Sequence, residues 1–174
     1  AGVFIYQAVT VTASEALPRG LRTTPIPPSP AGYGTPETCQ GCHEKEHAQW
    51  STSAHGQAMT DPLFLMAFRL DSRRWCVSCH APEAFDDSRK SANHGVTCGS
   101  CHNREGGIAT ARPLSADRVA PHPVVYDPEL GTAKSCAGCH QSDFLLNDSV
   151  NQDTIEEWRQ FGEGRRGQCV DCHM

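Results

Sequence analysis

Five copies of one short motif, Cys-x-x-Cys-His, are spread along the chain of 174 residues. This spacing is typical of covalent attachment of a c-type haem, in which two thiols add to the porphyrin vinyl groups. The histidine that follows then becomes the proximal ligand of the iron. The predicted attachment residues are Cys39, Cys42, Cys76, Cys79, Cys98, Cys101, Cys136, Cys139, Cys169 and Cys172, and the predicted proximal ligands are His43, His80, His102, His140 and His173.

Paired cysteines also build zinc ribbons and disulfide frameworks. All 10 cysteines fall in the five pairs, and a histidine follows every second cysteine. An odd number of pairs cannot be shared out into four-thiolate zinc sites, and neither alternative needs that histidine. The motifs therefore predict five c-type haems and no zinc.

Each haem iron has a second axial position, and its ligand decides whether small molecules can reach the metal. The chain has 9 histidines, so four remain for five irons, namely His47, His55, His94 and His122. His47 lies four residues after His43 and shares a helix face with it, so we expect it to bind a neighbouring haem. At most four haems can therefore carry two histidines from this chain, and a surface position is the alternative for each of the four.

The fifth iron either takes a methionine or stays open. Met59, one helical turn after His55, is the preferred candidate, although core packing is a common role for methionine. Met66 is interpreted as core packing, and Met174 would need a neighbouring haem within reach.

The composition predicts a fold built around cofactors. Hydrophobic residues make up 38% of the chain and aromatic residues 7%, which is a thin core for a globular domain. We expect a mainly α fold with much irregular loop, packed around haems. Little or no sheet is expected, apart from one possible N-terminal strand.

The net charge and the expected cellular compartment limit which molecules could bind this protein. The formal net charge is −5, and haem propionates would add to it, which argues against nucleic acid and permits docking on a basic face of a redox protein. Because bacterial c-type haems are attached outside the cytoplasm, a periplasmic or extracellular location is expected. No stretch of the sequence reaches the ~20 apolar residues of a membrane helix.

Two regions are predicted, an arm with a Pro-rich linker at 1–36 and a pentahaem domain at 37–174. Residues 3–12 have the composition of a strand, with a frayed terminus as the alternative. Residues 1–17 are a candidate contact for a second copy or a membrane complex, and either a signal peptide or a lost anchor preceded them. The linker, 18–36, is expected to be a spacer or a strap over a haem.

Helix signals are clear at three places. Thr35 and Pro36 predict a helix that carries the first motif and continues through Trp50. Asp61 precedes a second helix, and a third is expected to start at Asp153 or Thr154. The second helix has an apolar face formed by Leu63, Met66, Ala67 and Leu70.

Several of these motifs together resemble a multihaem superfamily. The first motif, followed by His47, Trp50, Ser53 and His55, resembles the opening site of the tetrahaem cytochrome c of ammonia oxidisers. That family belongs with hydroxylamine oxidoreductase and pentahaem nitrite reductase. The segments 94–98 and 169–174 are similar to others that recur there. The resemblance covers 37–174 in pieces, and its loops are not specific.

The resemblance implies a mainly helical fold with closely stacked haems and distal roles for His47, His55 and His94. Nitrite reductases of that superfamily are much larger and carry a lysine in place of the histidine in their catalytic motif. All five motifs here end in histidine. This difference argues against nitrite chemistry.

Three functions fit these observations. We favour an electron carrier over an enzyme, because two histidines on an iron close it to substrates. A small-molecule redox enzyme with one five-coordinate haem is the first alternative. A subunit of an extracellular cytochrome filament or of a membrane redox complex is the second.

Overall fold

A computed structural model describes residues 26–84, 94–143, 150–162 and 167–173. In these ranges the chain forms eight short helices, none long and apolar enough to cross a membrane. The helices are α1 (Pro36–Gln40), α2 (Glu44–Ser51), α3 (Pro62–Leu70), α4 (Arg74–His80), α5 (Cys98–His102), α6 (Ala133–His140), α7 (Thr154–Gln160) and α8 (Val170–His173). The predicted strand at 3–12 lies outside the described residues.

Short helices carry the haem motifs. α4, α5, α6 and α8 each end at the histidine of a motif. The first motif differs, because α1 ends at Gln40 and α2 starts only at Glu44. The prediction of one continuous helix was therefore wrong. The chain leaves helical geometry at His43 (φ −116°, ψ 48°), after the weak helix former Gly41.

Two small sheets follow directly on motif helices. β1 (Asn103–Arg104) continues from α5 and pairs antiparallel with β2 (Gly107–Thr110), which pairs in parallel with β3 (Val124–Tyr126). β4 (Gln141–Asp143) continues from α6 and pairs antiparallel with β5 (Val150–Asp153). Helices dominate as predicted, but the sequence analysis did not anticipate these sheets. They fix the chain immediately after two of the proximal histidines.

The interior that the polypeptide makes by itself is very small. Only seven hydrophobic side chains among the described residues are buried, and four of them are alanines; they are Ile26, Met59, Ala81, Ala84, Ala109, Ala133 and Ile155. A chain of this length normally buries most of its apolar surface in one core. This fold therefore needs apolar surface from another source.

Helix α3 confirms one prediction and overturns another. Asp61 caps it as expected, because its carboxylate accepts hydrogen bonds of 2.9 Å from the backbone N–H groups of Leu63 and Phe64. The face expected to be buried is exposed, with Met66 at 60% and Leu70 at 86%. The interpretation of Met66 as core packing was wrong, because α3 packs instead through its aromatic residues.

The helix predicted near residue 154 is confirmed. α7 starts at Thr154, after Asp153 at the cap position, and its Ile155 is 3% exposed. The Asp153 side chain accepts no cap hydrogen bond there. Packing of Ile155, more than capping, holds this helix in place.

Candidate haem sites

Two of the predicted proximal histidines are oriented by backbone carbonyls. His80 Nδ1 lies 2.8 Å from the carbonyl oxygen of Ala58, and His102 Nδ1 lies 2.9 Å from that of Ala109. A carbonyl only accepts, so each Nδ1 carries the proton and each Nε2 keeps its lone pair. Metal-binding histidines typically donate their other ring N–H in this way. Both residues therefore have the geometry of prepared axial ligands.

A cavity of about 420 Å³ lies beside His80. Phe64 stacks on the imidazole with ring centroids 3.8 Å apart and planes 15° from parallel. Ala54 and Ala58 form another part of the wall. The small and aromatic side chains fit a flat apolar group next to the second motif.

A larger cavity of about 690 Å³ brings three motifs together. Three of the four spare histidines, His47, His55 and His122, also line it. Its motif residues are Cys39, Cys42, His43, Cys98, Cys101, His102, Cys172 and His173. Thiols and imidazoles on largely apolar walls are the donor set that covalently held haem requires.

Two predicted iron ligands, His55 and His140, lie close together. Their ring centroids lie 6.1 Å apart and their planes differ by 65°. Two imidazoles that share one metal, with metal–nitrogen bonds of about 2 Å, hold their ring centroids roughly 6 Å apart. Burial lowers the pKa of His140, and the nearby His55 and His173 lower it further. The neutral imidazole is the form that binds iron.

A docked loop holds His55 in place. The indole N–H of Trp50 donates to the carbonyl oxygen of Val96 at 2.7 Å, and the N–H of Val96 donates to the carbonyl oxygen of His55 at 2.9 Å. Gly95, between Val96 and His94, has a φ of +65°. The absence of a side chain at Gly95 lets this loop pack tightly against the His55 turn.

Substitution of Gly95 by alanine is expected to destabilise the protein strongly. The new Cβ would lie 2.5 Å from the carbonyl oxygen of His55 and 2.8 Å from that of Gly56. Left-handed strain of ~1–2 kcal/mol and overpacking of ~1–3 kcal/mol predict a loss of about 2–5 kcal/mol. Chemical denaturation followed by circular dichroism measures it. Gly34→Ala is the matched control, because nothing lies within 4 Å of its Cβ position; equal stability of both variants would contradict the prediction.

His94 lies beside the first turn of α1 and does not line the large cavity. Its Nε2 is 3.9 Å from a carboxylate oxygen of Glu37. The pKa of Glu37 is lowered first by a hydrogen bond with the Thr35 side chain, and also by His94 and His47. The structure thus places His94 and His47 near the same carboxylate, and a distal role for His94 stays a prediction.

The described part of the linker holds His122. The Tyr33 hydroxyl donates to the carbonyl oxygen of Pro121 at 3.0 Å, and the Tyr33 and His122 rings meet edge to face at 5.2 Å. Ser29 accepts a hydrogen bond of 2.8 Å from the Asn103 amide. This part of the linker therefore lies against the predicted haem domain, as a strap would.

Met59 is part of the small protein interior. It is 4% exposed and packs with Ala81 and Ala84, against Phe64 and Val77. This is the environment of core packing, and its role as a sixth ligand stays a prediction. Met174 lies outside the described residues.

The attachment cysteines lie close to one another across motifs. None of the ten forms a disulfide in this structure. Burial, followed by the nearby thiol of Cys39, raises the pKa of the Cys98 thiol to about 12. Burial also raises the pKa of Cys136, which has Cys169 and Cys101 as neighbours. These contacts bring attachment sites from distant parts of the sequence side by side.

Sequence reasoning missed the hydroxyl residues that start the motif helices. Thr97 at the start of α5 donates its backbone N–H to the Ser100 hydroxyl at 2.9 Å. At the start of α6 the Ser135 hydroxyl donates to the carbonyl oxygen of Thr132 at 2.8 Å. The Thr-x-x-Ser spacing, which ends within the third motif and just before the fourth, could have predicted these hydrogen bonds.

No protein-family model, curated protein or solved structure matches the chain. Among the described residues, no group of three or more His, Cys, Asp or Glu side chains could hold a metal ion by itself. The likeness to the multihaem superfamily stays a prediction from the motifs.

Proposed function

We propose that this chain is a pentahaem c-type cytochrome that relays electrons outside the cytoplasm. The five motifs would hold the haems through their cysteines and proximal histidines. The pairing of His55 with His140 is the observation that carries the proposal, because it sets two imidazoles from distant parts of the chain at the spacing of shared axial ligands. When bound, a haem supplies one-electron oxidation and reduction at its iron.

The polypeptide would orient and enclose these groups. The carbonyl oxygens of Ala58 and Ala109 fix the rings of His80 and His102, and Phe64 shields one side of His80. The scarcity of buried hydrophobic side chains supports haems as the missing interior. Both features fit a protein whose main structural task is to hold flat cofactors.

The attachment sites form a connected set, which favours a relay over isolated sites. Motif 1 adjoins motif 3 through Cys39 and Cys98, and α1 packs on α5. Motif 4 adjoins motifs 3 and 5, because Cys136 has Cys101 and Cys169 as neighbours. The second-motif helix, α4, packs on α6, which carries motif 4. Because motifs 1, 3 and 5 also line one cavity, we infer a branched network in which motif 4 adjoins motifs 3 and 5 and motif 2 lies beside motif 4.

The charge indicates the kind of partner. With a formal net charge of −5 before any propionate is counted, the protein would dock through electrostatic attraction on a basic face of a redox protein. Such attraction weakens as ionic strength rises, because salt screens exposed charges.

The test combines haem counting with low-temperature electron paramagnetic resonance (EPR). The purified protein should carry five covalent haems per chain by intact mass and by pyridine haemochrome absorbance. At least four of the five ferric haems should be low spin. Bound zinc, or thiols that remain free in the mature protein, would contradict the proposal. A high-spin signal that responds to nitrite or hydroxylamine would instead favour the enzyme alternative.

A further inference from the structure

One carboxylate connects the second motif to the third. Glu83 lies in the 3₁₀ turn Pro82–Ala84 that follows α4, and it is half-buried. Its Oε1 atom accepts hydrogen bonds from the hydroxyls of Thr97 and Ser100, the latter at 3.5 Å. Thr97 is 8% exposed and Ser100 1%, so both donors are buried.

The third motif itself makes room for this carboxylate. A Cβ at Gly99 would lie 2.5 Å from Glu83 Oε1 and 2.7 Å from the side-chain nitrogen of Asn103. Gly99 and Ser100 are the two variable residues between Cys98 and Cys101, and both serve the Glu83 contact. In the first motif, by contrast, nothing lies within 4 Å of the Cβ position of Gly41.

The charge of Glu83 acts close to the third attachment site. No ion pair of Glu83 is present in the part of the chain that the structure describes. The carboxylate is also one of the weaker causes that raise the pKa of the Cys98 thiol, after burial and the neighbouring Cys39. The electric field of the Glu83 carboxylate therefore reaches Cys98, one of the two cysteines that would hold the haem.

We propose that Glu83 is a positioning residue that lowers the reduction potential of the haem held by the third motif. This inference rests on the proposed function. A negative charge near the iron favours the ferric state, which carries one more positive charge than the ferrous state, and burial limits the screening by water. The hydroxyls of Thr97 and Ser100 hold the carboxylate at this position.

The test is a spectroelectrochemical titration of the holoprotein carrying Glu83→Gln. Glutamine keeps the size and the acceptor oxygen but removes the charge. One of the five midpoint potentials is expected to shift upward by more than any other. The matched control is Glu105→Gln, an exposed carboxylate three residues after His102, just as Glu83 is three after His80; it should leave all five potentials in place.

A second pair of variants tests the position of the carboxylate without changing its charge. Gly99→Ala should displace Glu83 and also raise one potential, whereas Gly41→Ala should not. This pair decides the question if Glu83→Gln fails to accumulate. Unchanged potentials in the variants that fold would overturn the inference. Haem content is measured on the same samples, so wild-type protein without five haems would refute the proposed function instead.

Discussion

Replacing His55 by alanine is expected to convert one haem in five from low spin to high spin. His55 and His140 lie at the spacing of two ligands on one iron, and α6 holds His140 through its motif. Loss of His55 would leave that iron with His140 alone. EPR of the oxidised protein should then show a high-spin signal that exceeds the wild-type signal by one fifth of the total haem, at unchanged haem content.

Restoration with an external ligand strengthens this experiment. Imidazole added to His55→Ala should return the low-spin signal, because it supplies the missing nitrogen donor. Lys45→Ala, at an exposed position on α2, is the control and should give the wild-type spectrum. A His55→Ala protein whose haems all remain low spin without imidazole would disprove the pairing with His140.

Features that depend on nearby residues were predicted better from the sequence than the packing of distant residues was. Ten cysteines and five histidines at a fixed spacing predict five attachment sites without any structure, because the spacing itself encodes the reaction. The caps at Thr35 and Asp61 were also predictable, since they depend on nearby residues alone. The local sequence determines interactions between residues that lie only a few positions apart.

Contacts between distant residues could not be predicted in this way. The face of α3 that contains Met66 has the spacing of a buried face, yet Phe64 and Phe68 make the contacts because His80 lies on their side. The partner of His55 could not be predicted either. Four spare histidines offer many pairings, and only tertiary structure brings His140 beside this one.

The short strands could not be predicted from the sequence either. β1 has two residues and β4 has three, too few for an alternating pattern. The three-stranded sheet still has a clear structural role. Its strand β2, which pairs with β1, supplies the carbonyl oxygen of Ala109 that orients His102. The hydrogen bond at Nδ1 of His102, a predicted iron ligand, thus depends on a strand that the local sequence pattern does not predict.

Removal of the fourth motif is expected to damage the protein far more than removal of the first. The double variants Cys136→Ser with Cys139→Ser and Cys39→Ser with Cys42→Ser each delete one pair of thiols. Helix α6, which carries motif 4, packs against α4, α7 and both strands of the β4–β5 sheet. Helix α1, in the first motif, packs on α2 and α5 only among its substantial contacts in the described chain.

The physical reason lies in the size of the protein interior. Ala133, at the start of α6, is one of few buried hydrophobic residues, and its N–H donates to the Gln168 side chain at 3.3 Å, just before motif 5. Loss of a haem here would remove apolar surface from the middle of the fold, where little protein can replace it. At the first motif, Cys42 and His43 are exposed.

Haem counting and yield distinguish the two outcomes. The first-motif variant should accumulate as a protein with four haems and native circular dichroism. The fourth-motif variant should be recovered at less than one tenth of the wild-type yield, or with fewer than four haems per chain, because neighbouring sites lose their packing. Intact mass and pyridine haemochrome absorbance measure both. Equal recovery of two tetrahaem proteins would show that motif 4 is not central to the fold.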